Sequence, residues 1–288
     1  MPQSDLALKS AEIEELTDLH FFRPVGLVVA RAGRALGLTP IGLTVIAAII
    51  GIAGGTLLYD DRLGLFGFAL LILHSILDSA DGQLARLTGK VTELGRALDG
   101  LSGYATHVAI YLAIGFGLFH RGSPATIFIW MLFAGIATAI HAGMYDYHRH
   151  IYIAVVSDAR VPSHEPRNIP PPIGWLFLIY LGLQRWLIGK HADVEGALAS
   201  RSSGGQVRDE DRSRYRESFY PLVRGWNFLG DNTRFFVIGV LVLLHRIDLF
   251  FGFVLVLMNL VFAGLWLWQR NADRRFLASL SSSKLPAE

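Results

Sequence analysis

Six stretches of this chain contain no Asp, Glu, Lys or Arg: Pro40–Leu58, Leu63–Leu77, Gly100–Phe119, Gly122–Tyr145, Phe235–His245 and Leu249–Gln269. A helix needs about 20 mostly apolar residues to cross the hydrocarbon core of a bilayer. In lipid the backbone must satisfy its own polar groups, which a helix does within one segment. The pattern therefore predicts an all-α integral membrane protein, a six-helix transmembrane bundle. The fifth stretch, Phe235–His245, is short and needs its flanks, Asn232–Arg234 and Arg246, with the arginines reaching toward the headgroups. Composition agrees: 17% of residues are charged and 52% hydrophobic, whereas soluble domains carry about 25% charged residues. The absence of cysteine excludes disulfides, zinc–thiolate sites, iron–sulfur clusters and thiol nucleophiles. A net charge of only +2 gives no reason to expect a nucleic-acid partner.

Charge bias sets the topology. With the N-terminus in the cytoplasm, the outer connections are Tyr59–Arg62, His120–Ser123 and Arg246–Asp248, which hold three of the 26 Lys and Arg residues. The rest fall on the inner side, as the positive-inside rule requires. Residues 1–24 contain Glu12, Glu14 and Glu15 and no apolar core of a signal peptide, so no cleavable leader is expected. Their mixture of acids with Leu6, Leu8, Ile13, Leu16, Leu19, Phe21 and Phe22 predicts an amphipathic helix on the membrane surface. The expected division is an interfacial N-terminal segment (1–38), spans one to four (39–156), a cytoplasmic insert (157–231), spans five and six (232–270) and a cytoplasmic tail (271–288). Within the insert, 173–189 reads as an interfacial helix, Arg208–Glu217 as a solvated helix face, and Trp226 and Phe228 as headgroup anchors. Gly51-xxx-Gly55 permits close helix packing, either within the bundle or in a homodimer. Membrane lipids surround such a chain, and an inner-leaflet site suits a bacterial plasma (inner) membrane.

The residues that carry chemistry stand where the second and third spans meet the cytoplasm. Asp78 and Asp81 are three apart and share a helix face. Asp99 lies near the same boundary on the next helix, and the short connection Leu87–Thr92 brings the two ends together. Acids at a helix C-terminus oppose the macrodipole, and beside an apolar slab they are costly. They need a positive partner. Arg86 and Arg96 are candidates, and a hard divalent cation serves better, because Mg²⁺ favours a few carboxylates with water and substrate phosphates. Gly82, Ala85 and Gly95 leave room beside the acids, and the Arg86 guanidinium suits a phosphate.

The string Asp78-x2-Asp81-Gly82-x2-Ala85-Arg86-x8-Gly95-x3-Asp99 resembles the signature of the CDP-alcohol phosphotransferases, matching seven of its eight fixed positions. The resemblance implies an in-membrane helical bundle with its site open to the cytoplasmic half of the bilayer. It implies transfer of a phosphatidyl or phospho-alcohol group from a CDP-linked donor, CDP-diacylglycerol or a soluble CDP-alcohol, to a hydroxyl acceptor, with release of CMP. Asp78, Asp81 and Asp99 would bind Mg²⁺ or Mn²⁺, and Gly82, Ala85, Arg86 and Gly95 would line the cytidine diphosphate site.

The eighth position departs from the signature. A fourth aspartate, expected four residues after Asp99, is Gly103 here. In the family that aspartate helps bind metal and deprotonates the acceptor. His107, one turn further along the same face, is the candidate replacement base beside Asp99. The alternatives are an acceptor needing less activation, or a catalytically degenerate protein of the same fold that binds nucleotide without turnover. His74, one turn before Asp78, reads as a packing residue or as a support behind a metal ligand, and the group His141, Tyr145 and His148, which share a face at the inner end of span four, as interfacial anchors or acceptor contacts.

Overall fold

The computed structural model describes residues 11–161 and 187–282, and no β-strand occurs among them. The helices are α1 (Arg23–Ala35), α2 (Pro40–Leu57), α3 (Gly64–Thr88), α4 (Glu93–His120), α5 (Ile127–Tyr152), α6 (His191–Arg201), α7 (Asp209–Trp226), α8 (Asp231–Leu243) and α9 (Asn259–Ser282). The last is entered through a helical turn at Phe250–Gly252 and a wide π-turn at Phe253–Met258. Among the described residues, five segments are long and apolar enough to cross a membrane: Pro40–Leu57, Gly64–Thr88, Glu93–His120, Ile127–Ser157 and Ile247–Ser281. The remaining expected span is α8. Its 13 residues reach only about 20 Å at 1.5 Å per residue, short of a ~30 Å hydrocarbon core.

The chain divides into two units, Met1–Thr138 with Asp231–Leu257, and Ala139–Gly230 with Met258–Glu288. In the first, local chemistry places each helix end. The Thr39 hydroxyl accepts from the Gly42 amide at 3.0 Å, and Pro40 occupies the first helical position of α2. The chain leaves α3 at Gly89, whose φ of 67° suits glycine. Thr92 opens α4 by accepting from the Gly95 amide at 3.0 Å. Helix α2 packs against both α3 and α4. The contact with α3 is backbone-close, since a Cβ on Gly67 would stand 2.7 Å from the Gly54 carbonyl oxygen. Gly51 faces Thr106 and His74, and Gly55 faces Ile110 and Ala109. The Gly51-xxx-Gly55 face thus serves packing within the chain. At the opposite end of α2, Arg121 donates to the Tyr59 carbonyl at 2.8 Å and lies 3.3 Å from Asp61, which joins the two expected outer turns.

Near the acidic end, Ala30, Leu43, Ala47, Leu77, Ala80 and Leu84 form one buried cluster among α1, α2 and α3. The outer faces carry large apolar side chains: Val45, Ile46, Ile49 and Ile52 on α2, and Leu101, Val108, Leu112 and Phe116 on α4. Exposed apolar faces of this extent are what a lipid-facing bundle presents. Ala11–Ile13 form a 3-10 turn, and from Leu16 the chain is helical, passing through a π-turn at Asp18–Phe22 directly into α1; the first ten residues of the expected amphipathic helix lie outside the described residues. The Asn232 amide ties this segment to the start of α8 by donating to Glu15 at 2.8 Å and Asp18 at 2.9 Å.

The second unit is built around a buried polar network. His191, Tyr215, Trp226, Gln269 and Asp273 are all at most 4% exposed. Burial pushes the Tyr215 hydroxyl well above the ordinary phenol range, and the Glu195 and Asp273 carboxylates add to this. Tyr215 therefore keeps its proton and donates to His191 Nε2 at 3.0 Å. That leaves the hydrogen on Nδ1, which donates to Asp273 at 2.8 Å. Gln269 donates to the same carboxylate oxygen at 3.0 Å and accepts from Trp226 Nε1 at 3.2 Å. Trp226 is accordingly a core residue and not a headgroup anchor; Phe228 is exposed. Helix α7, expected as a solvated face, is exposed on one side and buries Tyr215, Phe219, Leu222, Val223 and Trp226 on the other. The interfacial helix expected at 173–189 lies outside the described residues except for its last three.

Candidate active site

The first unit brings the three predicted acids together. Asp78 and Asp81 project from one face near the end of α3, and Asp99 comes from the second turn of α4. One carboxylate oxygen from each lies within 4.8 Å of the others. Burial falls across the group: Asp81 is buried, Asp78 is half-buried and Asp99 is exposed. Asp81 is fixed from the neighbouring helix, because the buried Thr44 hydroxyl of α2 donates to its Oδ2 at 2.5 Å. Thr44 was not singled out by sequence reasoning. Its signal is faint, a hydroxyl in an apolar span one turn past the Thr39 cap.

Among the described residues, no Lys or Arg forms an ion pair with these carboxylates. Arg96 pairs instead with Glu93 on the exposed first turn of α4. Arg86 is exposed and folds back over Gly82, with Nη1 3.5 Å from where a Cβ on that glycine would stand. Three oxygen-donor carboxylates without a cationic partner can hold a hard divalent ion. Gly82 and Ala85 are half-buried beside them, and Gly95 contacts only its own cap, Thr92. Gly82 and Ala85, with the exposed Arg86 guanidinium over Gly82, thus stand beside the acids.

Gly103, one turn beyond Asp99, is open: a Cβ there would meet no atom within 4 Å. His107 lies one turn on. Its Nδ1 is 2.9 Å from the Gly103 carbonyl, its Nε2 is 3.3 Å from Asp231 Oδ1, and its ring stacks on Phe235 at 5.5 Å. Asp231, the first residue of α8, also lies 3.5 Å from Arg234. Sequence reasoning passed over Asp231, an acid standing immediately before a short apolar helix. His74 is turned to the Ala47 carbonyl at 2.9 Å. In the other unit, His141 contacts Asn259 at 3.1 Å and His148 stacks on Trp226 at 4.8 Å, as packing residues do.

Comparison with known proteins bears on this arrangement directly. A model of the CDP-alcohol phosphatidyltransferase family matches residues 37–185, more than half of the chain. No curated protein matches the sequence. The aspartates of α3 and α4, with the small residues between them, fall wholly inside the matched span, and the chain belongs to the CDP-alcohol phosphatidyltransferase family.

Proposed function

We propose that the protein is a phosphotransferase of phospholipid synthesis, acting at the cytoplasmic face of a plasma (inner) membrane. It transfers a phosphatidyl group from CDP-diacylglycerol to a small hydroxyl acceptor, such as an inositol or glycerol phosphate, and releases CMP. The observation that carries this reading is the trio of carboxylates on α3 and α4, converging beside Gly82 with no Lys or Arg ion-paired to them among the described residues. Asp78, Asp81 and Asp99 hold Mg²⁺ or Mn²⁺, which supplies countercharge to the diphosphate and to the departing CMP. Thr44 holds Asp81 in one orientation, as a hydrogen bond behind a ligand does. Gly82, Ala85 and Gly95 let the nucleotide approach the helix backbones, and Arg86 swings from Gly82 to a phosphate oxygen. Asp99 and His107 share the face of α4 on which the acceptor hydroxyl loses its proton.

Gly103 favours one other reading, a protein that binds CDP-linked lipid without turning it over. One experiment separates the two. Purified protein is given CDP-diacylglycerol or soluble CDP-alcohols, each with a panel of hydroxyl acceptors and Mg²⁺ or Mn²⁺, and CMP is measured. The expected result is acceptor-dependent CMP release from CDP-diacylglycerol, abolished by a chelator and restored by the metal. Nucleotide binding without CMP release from any donor would establish the degenerate reading instead.

A further inference from the structure

The carboxylate missing at position 103 has a counterpart that sequence spacing does not reveal. Helix α8 runs antiparallel to α3, and their contacts fix the register. Val242 meets Gly64, Phe68 lies on Gly239, and the rings of His74 and Phe235 meet edge-on at 6.4 Å. Each step back along α8 is a step forward along α3, and the next residues in the series are Asp231 and Asp78. On the other side, α8 meets α4 at the turn that begins with Gly103, through the Phe235–His107 stack and the 3.3 Å approach of His107 Nε2 to Asp231. Asp231 thus stands level with the acidic end of α3 and beside the open space at Gly103.

Its chemistry fits that place. Oδ1 faces His107 and Arg234, whereas the side chain as a whole is 51% exposed. A carboxylate at a helix N-terminus is favoured by the macrodipole. His107 Nδ1 is held at the Gly103 carbonyl, and its buried Nε2 faces Asp231 Oδ1 at 3.3 Å. This leaves the histidine suited to orienting a carboxylate and poorly suited to taking a proton from a substrate.

We infer that Asp231, delivered from α8 and oriented by His107, takes the place of the motif aspartate absent at position 103 and accepts the proton of the acceptor hydroxyl. The inference rests on the phosphotransfer reading above. In the step, the hydroxyl proton passes to the Asp231 carboxylate. The acceptor oxygen forms a bond to the donor phosphorus that carries the alcohol. The bond from that phosphorus to the CMP oxygen breaks, and its electron pair leaves with CMP. Asp231 is a catalytic residue in this scheme, and His107 is a positioning residue.

The test uses the full chain in detergent or nanodiscs, with CMP release and CDP binding both measured. D231N keeps the shape and an oxygen facing His107 and Arg234. It is expected to lower kcat by about 100-fold or more while CDP affinity changes by less than about threefold, the scale of loss for a general base. The double variant G103D/D231N, which places a carboxylate in the open space, is expected to recover at least about tenfold of that loss. Recovery of this kind distinguishes a lost base from a damaged fold. Undiminished CMP release from D231N, or no recovery in the double variant, would overturn the assignment of Asp231. Absence of CMP release from the unmodified protein would instead overturn the phosphotransfer reading itself.

Discussion

Asp78→Ala is expected to reduce CMP release by about 10³-fold, the upper range for removing one group that stabilises developing charge, without lowering thermal stability. The two halves of this expectation have one cause. Asp78 contributes one of three carboxylates lying within 4.8 Å of one another, and no lysine or arginine is paired to it among the described residues. Deleting an acid from an ion pair leaves an orphaned charge and destabilises. Deleting one from a cluster of carboxylates relieves repulsion between like charges. A structural role for Asp78 predicts the reverse: lower stability with activity falling only as protein unfolds. The check is CMP release from the purified variant beside its melting curve. Activity within about threefold of the parent would exclude the role that charge stabilisation gives this residue.

Asp273→Ala produces the largest loss of stability. The Asp273 carboxylate is fully buried and accepts from His191 Nδ1 at 2.8 Å and Gln269 Nε2 at 3.0 Å. Its removal strands both donors, and the chain behind them, Tyr215 to His191 and Trp226 to Gln269, loses its terminus. Leaving a buried donor without its acceptor costs about 1–3 kcal/mol, and two donors lose theirs here. Asp273→Asn retains an acceptor oxygen and is expected to lose less, about 1–3 kcal/mol. Trp226 reports the event directly, because its indole belongs to the network. Tryptophan fluorescence during thermal unfolding should show Asp273→Ala melting well below the parent, with Asp273→Asn between them. Coincident curves for Asp273→Ala and the parent would mean that the network contributes no stability.

The legibility of this protein in its sequence divides along a physical line. Features set by local chemistry could be read. The charge-free stretch Pro40–Leu58 becomes α2, Pro40–Leu57, because a hydroxyl cap and an N-terminal proline begin it whatever surrounds it. Asp78 and Asp81 share a face by helical period alone, and the short link to α4 left Asp99 little choice of neighbourhood. Features that depend on which helix packs on which could not be read. Asp231 reaches the His107 turn only through the register of α8 against α3. Asp273 meets His191 across 82 positions of sequence. Trp226, a fair headgroup anchor by composition, is buried by α7 packing on α9. The N-terminal acids that suggested a surface helix are used in tertiary contacts, Glu14 with Arg23 and Glu15 with Asn232.

The central claim is that Asp78, Asp81 and Asp99 together hold a divalent cation beneath a cytidine diphosphate. Mn²⁺ binding followed by electron paramagnetic resonance, with and without CDP, tests it most directly. The unmodified protein should bind Mn²⁺ more tightly when CDP is present, and the triple Asp→Asn variant should bind neither ion nor nucleotide at the same concentrations. Equal Mn²⁺ binding by the two proteins, or none by the unmodified protein with CDP present, would contradict the claim.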